Sequence, residues 1–267
     1  MSVPLIVCGA AGRMGRTLVA LVQSAPDAHL HAAIETSGHS ALGQDAGVLA
    51  GAAPAQVPIS DDYARAAVPG TVTLDFTVAP AAVAHLRVAA AQGAGIVIGT
   101  TGYSAEEQRE LDRLAPQTRC VVAANMSVGV NVLLKLVEAA AAALGGSFDA
   151  EIVELHHRMK VDAPSGTALA LARAAARGLR RDFERSKRLS REGIVGRRSD
   201  AEIGIVALRG GDAIGDHTVV FAGMGERLEL IHRAQSRECL ARGAVRAGIW
   251  LAGQPVGRYA MADVLGL

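Results

Sequence analysis

The chain has 267 residues, of which half are apolar and a fifth are charged, and its formal net charge is +1. This composition suits one large or two moderate folded domains and argues against disorder. The near-neutral charge and an aromatic content of only 3% argue against a surface that binds nucleic acid or anionic membrane.

Short apolar runs alternate with helical patterns through the first half of the chain. The spacing predicts strands at residues 4–9, 29–35, 72–77, 95–102 and 120–126, and helices at 13–25, 80–92 and 104–115. Ser104 and Glu107 have capping-box spacing at the start of the last helix. Strands and helices in alternation predict a Rossmann-like, doubly wound parallel sheet, and solidly apolar strands indicate that helices cover both faces.

The pattern changes after Asn125. The sequence predicts a helix at 129–144, a half-buried strand at 150–157, a helix after Pro164, and strands at 202–211, 216–225 and 226–235. We therefore expect a first domain of residues 1–127 and a second α+β domain of residues 128–236 with an open mixed sheet. Residues 237–267, which begin with a helix, are expected to pack back on the first domain. The basic segment 180–200 is typical of a solvated loop.

The segment "GAAGRMG" follows the first strand and opens the first helix, as a dinucleotide-binding fingerprint requires. Gly9 permits the tight turn, Gly12 lets backbone approach a pyrophosphate, and Gly15 permits close packing of helix on strand. The helix start favours phosphates, and Arg13 adds a cation. Ala11 replaces the second glycine of the strict fingerprint. A purely structural turn would also give such a glycine triplet.

Glu35 ends the second strand, 20 residues beyond Gly15. An acidic residue at this place hydrogen-bonds the adenosine ribose and repels a 2′-phosphate. The next residue is Thr36 rather than an arginine that could hold that phosphate. The sequence leaves both NADH and NADPH open as cofactors and favours NADH.

Two further turns follow predicted strands, "GTTG" at residues 99–102 and "AANMS" at 123–127. The carboxyl ends of parallel strands form the rim at which ligands bind in such sheets. Backbone amides in these turns are therefore candidates for holding a nicotinamide. Ordinary turn chemistry is the alternative explanation.

The segment "ELHHRMKVDAPSGTAL" at residues 154–169 concentrates titratable groups at a strand end and a helix start. Lys160 supplies a point charge for a carboxylate, and Ser165 is placed to cap the helix whose first turn contains Gly166 and Thr167. An imidazole such as that of His156 or His157 titrates near neutrality and can supply a proton. Either histidine taken singly is more often structural. A zinc site is disfavoured, since no third ligand has a clear spacing, so we expect no metal.

Three scattered cysteines without a CxxC pair fit a reducing compartment. The first apolar run is too short for a membrane span and has no basic leader. We expect a cytoplasmic protein without a membrane partner.

These motifs resemble the 4-hydroxy-tetrahydrodipicolinate reductase family, also called dihydrodipicolinate reductases, along nearly the whole chain. The segment 154–169 is its most specific mark, beside "DFT" at 75–77 and "GERLELIHRAQSR" at 225–237. The resemblance implies an enzyme of lysine and diaminopimelate biosynthesis. Such an enzyme reduces a cyclic imine with two carboxylates, using NADH or NADPH. It implies a homotetramer built through the sheet of the second domain, which also binds substrate.

The resemblance also implies roles for individual residues. His156 would be the catalytic proton donor, with Lys160 as a second donor that attracts the substrate. Dicarboxylate contacts would come from His157, Gly166 and Thr167. The dinucleotide would be bound by Gly9, Ala10, Ala11, Gly12, Arg13, Met14, Glu35, Thr36, Gly99, Thr100, Thr101, Ala123, Ala124, Asn125 and Met126.

Three residues depart from what is common in the family: Met159 replaces a histidine, Met126 an aromatic residue and Thr36 an arginine. None alters the pair of His156 and Lys160. Two other functions stay open, namely a dehydrogenase of another small diacid and a nucleotide-sensing protein without catalysis.

Overall fold

The computed structural model describes residues 2–267. They divide into two compact units. The first unit extends to Val128 and also includes Glu238–Leu267, and the second unit is Gly129–Arg237.

A seven-stranded sheet is the centre of the first unit, with strands in the order β3-β2-β1-β4-β5-β6-β12. Every neighbouring pair is parallel. The strands are β1 (Val3–Cys8), β2 (Ala28–Ile34), β3 (Ile59–Ser60), β4 (Val72–Asp75), β5 (Gly95–Ile98), β6 (Arg119–Val122) and β12 (Gly257–Tyr259). This order is that of a dinucleotide-binding sheet, with its reversal point between β1 and β4.

Helices cover both faces of this sheet, as the apolar strands predicted. They are α1 (Arg13–Ser24), α2 (Ala46–Leu49), α3 (Tyr63–Ala66), α4 (Ala79–Gln92), α5 (Ala105–Leu114), α9 (Glu238–Ala252) and α10 (Met261–Leu265). Leu18 of α1 and Leu251 of α9 are buried in one core with Leu5. Leu86 of α4 and Leu111 of α5 are buried in the other. The capping box of Ser104 and Glu107 is formed at the start of α5.

The second unit contains a five-stranded mixed sheet in the order β11-β10-β7-β9-β8. Strand β7 pairs parallel with β9 and antiparallel with β10. The elements are α6 (Val128–Leu144), β7 (Asp149–His156), α7 (Gly166–Gly178), α8 (Phe183–Ser186), β8 (Lys187–Arg188), β9 (Ile203–Arg209), β10 (Gly215–Ala222) and β11 (Arg227–Ala234). The predicted fold class, a Rossmann-like sheet with a second α+β domain, is confirmed.

One face of the mixed sheet is buried and the other is open. Ile152 and Phe221 lie in a core with Leu133 of α6 and Leu171 of α7. On the other face, three apolar side chains are 39 to 47% exposed: Val206, Leu208 and Ile231. The alternation along β7 places Ala150, Ile152, Glu154 and His156 on the buried face.

Helix α6 and the turn after it, residues 128–147, are long and apolar enough to cross a membrane by composition alone, with a mean hydropathy of 1.6. A core helix of a soluble domain meets the same criterion, so one such segment is weak evidence. In this fold Val130, Leu133, Val137 and Ala141 of α6 are buried.

The basic segment after α8 is more firmly held than a freely solvated loop. Arg191 forms hydrogen bonds to Glu151 and Glu202, and Arg198 to Asp149 and Glu151. The sequence gives no local sign of these contacts, because the acidic partners lie up to 49 residues away.

Candidate active site

The glycine-rich turn after β1 has the geometry that its sequence predicted. Gly9 has a φ of +69°, which favours glycine. A Cβ on Gly15 would lie 2.0 Å from the carbonyl oxygen of Gly9, so only glycine lets α1 pack this closely. A Cβ on Gly12 would lie 3.2 Å from the same oxygen. The predicted turn and packing roles of Gly9 and Gly15 are confirmed.

Glu35 lies beside this turn at the end of β2. Its Oε2 accepts a hydrogen bond from the Ala11 N–H at 3.0 Å, and its Oε1 accepts one from the Thr36 N–H. A cavity of about 480 Å³ elsewhere on this unit lies between α1 and α9 and includes none of these residues. The cavity of about 610 Å³ at the sheet edge is lined by Gly9, Gly12, Glu35 and Thr36. Four sequence-predicted residues therefore meet in one cavity at the carboxyl ends of β1 and β2.

A neighbouring cavity of about 600 Å³ includes the predicted residues Gly99, Thr100 and Thr101 at the end of β5. The Thr100 hydroxyl donates to the Thr77 carbonyl at 2.9 Å. The Phe76 ring lies so close to Gly99 that a Cβ there would be 2.2 Å from it. Phe76 and Thr77 line both cavities. Sequence reasoning did not select them as site residues, although they follow β4, which neighbours β1 in the sheet.

The remaining predicted cofactor residues differ in exposure. Ala10 and Ala11 are buried, Arg13 is exposed and Met14 is half-buried. After β6, Ala124 is exposed, while Ala123 and Asn125 are half-buried. The Asn125 Oδ1 accepts a hydrogen bond from the Ser127 N–H. The Met126 side chain is 1% exposed and belongs to the core beside α9, so any ligand contact there would involve backbone.

Asp75 at the end of β4 is a fully buried carboxylate. It accepts hydrogen bonds from the Thr77 N–H and hydroxyl, and lies 2.6 Å from Nδ1 of His85. Cys8, Asp75 and His85 offer possible metal ligands within 4.8 Å of one another. Burial raises the pKa of the Cys8 thiol, which disfavours the thiolate that a metal needs. The expectation of no metal stays a prediction.

His156 ends β7 and lies against a buried carboxylate. Its Nδ1 is 2.5 Å from Oε2 of Glu154, which has no exposed side-chain surface. Arg209 at the end of β9 donates to both oxygens of Glu154, at 2.8 and 2.9 Å. Unlike His156, Glu154 and Arg209 were not predicted from the sequence as site residues.

Ser165 caps α7 as predicted, since its hydroxyl oxygen accepts from the Ala168 N–H at 3.1 Å. The same hydroxyl lies 3.2 Å from Nε2 of His217, and the rings of His217 and His156 meet edge to face at 5.2 Å. Burial lowers the pKa of His217 to about 4, and the charge of His156 adds to the effect. A neutral His217 can therefore share a hydrogen bond with the Ser165 hydroxyl.

Lys160 and His157 follow β7 in a turn. The Lys160 N–H donates to the His157 carbonyl, and the His157 N–H donates to the Ala213 carbonyl. The Lys160 ammonium binds both oxygens of Asp162, at 2.7 and 2.8 Å. That hydrogen bond lowers the pKa of Asp162. Gly166, which is exposed, and Thr167 form the first turn of α7.

The second unit thus gathers an imidazole, an ammonium and a helix start, which together suit a small anion and a proton transfer. The first unit supplies a glycine turn, an acidic residue and cavities at strand ends, which suit a dinucleotide. A fold and sites of this kind define the class of two-domain dehydrogenases.

Comparison with known families narrows this class. The family profile described as "Dihydrodipicolinate reductase, N-terminus" matches residues 3–126, and "Dihydrodipicolinate reductase, C-terminus" matches residues 129–265. The chain belongs to the dihydrodipicolinate reductase family.

Individual relatives agree with the profiles. The chain is 51% identical to the 4-hydroxy-tetrahydrodipicolinate reductase of Methylocella silvestris, over 98% of this chain and 97% of that protein. It is 50% identical to the reductase of that name from Anaeromyxobacter sp. (strain Fw109-5), over 99% and 98%. A solved structure, dipicolinate-bound dihydrodipicolinate reductase from Paenisporosarcina sp. TG-14, matches with a TM-score of 0.75 and 26% identity, over 98% of this chain and 99% of that one.

Proposed function

We propose that this chain catalyses the NAD(P)H-dependent reduction of 4-hydroxy-tetrahydrodipicolinate, by way of dihydrodipicolinate, to tetrahydrodipicolinate in lysine and diaminopimelate biosynthesis. The observation that supports this most is that the family profiles match both units. The names of the two relatives and the dipicolinate-bound structural neighbour point the same way.

The first unit fits the cofactor. Gly9 and Gly15 shape the turn, Glu35 lies beside it at the cavity wall, and the start of α1 favours the pyrophosphate. Arg13 and Met14 lie in the first turn of α1. The turns of Gly99, Thr100 and Thr101 and of Ala123, Ala124, Asn125 and Met126 would hold the nicotinamide. When bound, the cofactor supplies the hydride.

The second unit would bind the carboxylates of the substrate and donate a proton to it. Lys160 attracts one carboxylate, and Gly166 and Thr167 bind a carboxylate at the positive end of α7, with His157 as a further contact. His156 is the proton donor as negative charge develops, with Lys160 as a second donor. The Glu154 carboxylate lies 2.5 Å from Nδ1 of His156 and would hold its ring in place.

Glu35 and Asp61 line the same cavity as Thr36. Two carboxylates without a cation at residue 36 disfavour a 2′-phosphate there. We therefore propose NADH as the preferred cofactor, with NADPH also accepted.

The open face of the mixed sheet suits an oligomer. Val206 and Leu208 on β9 and Ile231 on β11 expose apolar surface on this face, and its burial against another copy is favourable. We propose a homotetramer assembled through this face, working in the cytoplasm without a nucleic-acid or membrane partner.

Two alternative functions lead to different expectations from those for the reductase. Another small-diacid dehydrogenase would oxidise NADH only with a different keto or imino acid. A nucleotide sensor would bind NADH without turnover.

The test is to follow NADH and NADPH oxidation with freshly generated dihydrodipicolinate synthase product. Turnover that His156→Gln lowers about a hundredfold or more would support the proposal, since this is the usual scale for a lost general acid. Tight NADH binding without turnover would favour the sensor, and turnover with another diacid alone would favour the other dehydrogenase.

A further inference from the structure

We propose that Glu154 is a positioning residue that fixes the tautomer of His156 and ties this proton donor to the anion-binding start of α7. The inference deepens the proposed function and rests on it, because it takes His156 as the proton donor. Glu154 and His156 are two apart on β7, so their side chains share one face of the strand. The carboxylate oxygen and the imidazole Nδ1 lie 2.5 Å apart.

The Glu154 carboxylate is held on every side. Arg209 donates to both of its oxygens, the Ser165 N–H donates to Oε1 at 3.0 Å, and His156 contacts Oε2. Burial raises the pKa of Glu154, but the hydrogen bonds from Arg209, His156 and Ser165 outweigh it and hold this pKa below its ordinary value. Glu154 is thus an ionised group in the interior, with its four hydrogen-bonding positions used.

An ionised carboxylate only accepts hydrogen bonds. Nδ1 of His156 must therefore carry its hydrogen toward Glu154, which leaves Nε2 as the nitrogen that releases a proton. Nε2 lies against the backbone of Gly215, where a Cβ would be 2.9 Å away. Glycine at this residue keeps room beside the reactive nitrogen.

Charged and titratable groups face His156 from several elements. Glu154 lies on its own strand β7, His217 on β10, and Arg209 on β9 is paired with Glu154. Lys160 belongs to the turn after β7 and, like His156, lowers the pKa of His217. Glu154 is the carboxylate that contacts the ring. Its removal should therefore leave Nδ1 of His156 without the acceptor that fixes the ring tautomer.

The same carboxylate also organises the anion site. Ser165 donates its N–H to Glu154 and caps α7. Arg209 reaches from Glu154 to the carbonyl of Asp162 at 2.7 Å, in the turn that contains Lys160. The buried Glu154 carboxylate therefore fixes the relative positions of His156, the start of α7 and the turn that contains Lys160.

The experiment compares Glu154→Gln with Glu151→Gln. Glutamine keeps the shape of Glu154 but both donates and accepts, so it no longer dictates the tautomer. Glu151 is the matched control: it lies on the same strand but on the opposite face, and is also paired with arginines. The measurements are kcat, KM and the ¹⁵N resonances of the His156 ring in the full-length protein.

Glu154→Gln should lower kcat about tenfold or more, with a smaller change in KM. The ring resonances should change from the Nδ1–H pattern to a mixture of tautomers. Glu151→Gln should leave all three unchanged.

A native kcat and ring pattern in Glu154→Gln, beside an impaired His156→Gln, would overturn this inference alone. Native turnover in His156→Gln would overturn the proposed function and this inference with it. If Glu154→Gln does not fold, Glu154→Asp replaces it: the retained charge should preserve the Nδ1–H ring pattern while kcat falls. A mixture of tautomers in that variant would contradict the inference.

Discussion

The ammonium of Lys160 lies 2.7 and 2.8 Å from the two oxygens of Asp162. The residue proposed to attract the substrate is therefore already neutralised by a neighbour two residues away. Asp162 is 59% exposed, so this ion pair is screened by water and a dicarboxylate can compete with it.

Replacing Asp162 by asparagine should therefore improve substrate binding. Asp162→Asn should lower KM for the dicarboxylate a few-fold, because an exposed pair of this kind contributes about 1 kcal/mol or less. Lys160→Ala should act in the opposite direction, with a higher KM and a lower kcat. Steady-state kinetics measure both. Glu184→Gln, which breaks an exposed ion pair with Lys187, is the control. An unchanged KM in Asp162→Asn would mean that this pair does not restrain Lys160.

Gly215→Ala should lower turnover by displacing the ring of His156. The new Cβ would lie 2.9 Å from Nε2 of His156, so the ring must shift away from its place beside Glu154. We expect kcat to fall about tenfold or more, the scale of a misplaced catalytic group, while NADH affinity stays native. Gly146→Ala is the matched control, since a Cβ there meets nothing within 4 Å. Native kcat in Gly215→Ala would place the proton transfer elsewhere.

Thr36→Arg should shift cofactor choice toward NADPH. Residue 36 lines the cavity beside Glu35, where a guanidinium can bind a 2′-phosphate by charge-assisted hydrogen bonds. The Kd for NADPH should fall about tenfold, which corresponds to roughly 1.4 kcal/mol. Titration of both cofactors by fluorescence checks this, and Thr36→Gln separates charge from size. Equal effects of Thr36→Arg and Thr36→Gln on the Kd for NADPH would contradict an explanation by charge.

Stability should depend on pH through His217. Its pKa is about 4 in the folded protein against 6.5 for an ordinary histidine, so the unfolded chain binds the proton more readily. The contribution of His217 to the free energy of unfolding is fully present above about pH 6.5 and is lost as the pH falls toward 4. Its total size is on the order of 3 kcal/mol.

Denaturant unfolding at pH 7 and pH 5 measures this contribution. His217→Gln should lose less stability between these values than the native chain, whereas His29→Gln, at an exposed histidine, should behave like the native chain. A native pH dependence in His217→Gln would show that His217 is not held neutral in the folded protein.

Much of the fold follows from local sequence patterns. Buried parallel strands are continuous apolar runs, and the Gly9 turn and the Ser104 capping box depend on residues only a few apart. The short elements β3, β8, β12, α2, α3 and α8 have two to four residues each and were not predicted. Their conformation is set by the strands and loops they pair with, which a short window of sequence does not contain.

The candidate site was predictable only in part. His156, Lys160 and Ser165 lie within one segment, so their spacing indicated a shared site. Glu154 lies in that segment too, and the period-two alternation of β7 places it on the buried face with Ile152. Its main partner Arg209 comes 55 residues later, in a parallel strand whose register the sequence does not specify. Such a contact needs the folded sheet.

We propose that this chain passes a hydride from a nicotinamide to a cyclic dicarboxylate. Incubation with NADH deuterated at both C4 positions and the dihydrodipicolinate synthase product, followed by mass spectrometry, tests it most directly. We expect the native chain to form tetrahydrodipicolinate with one deuterium and His156→Gln to form much less of it. Cofactor that stays reduced, or a product without deuterium, would contradict it.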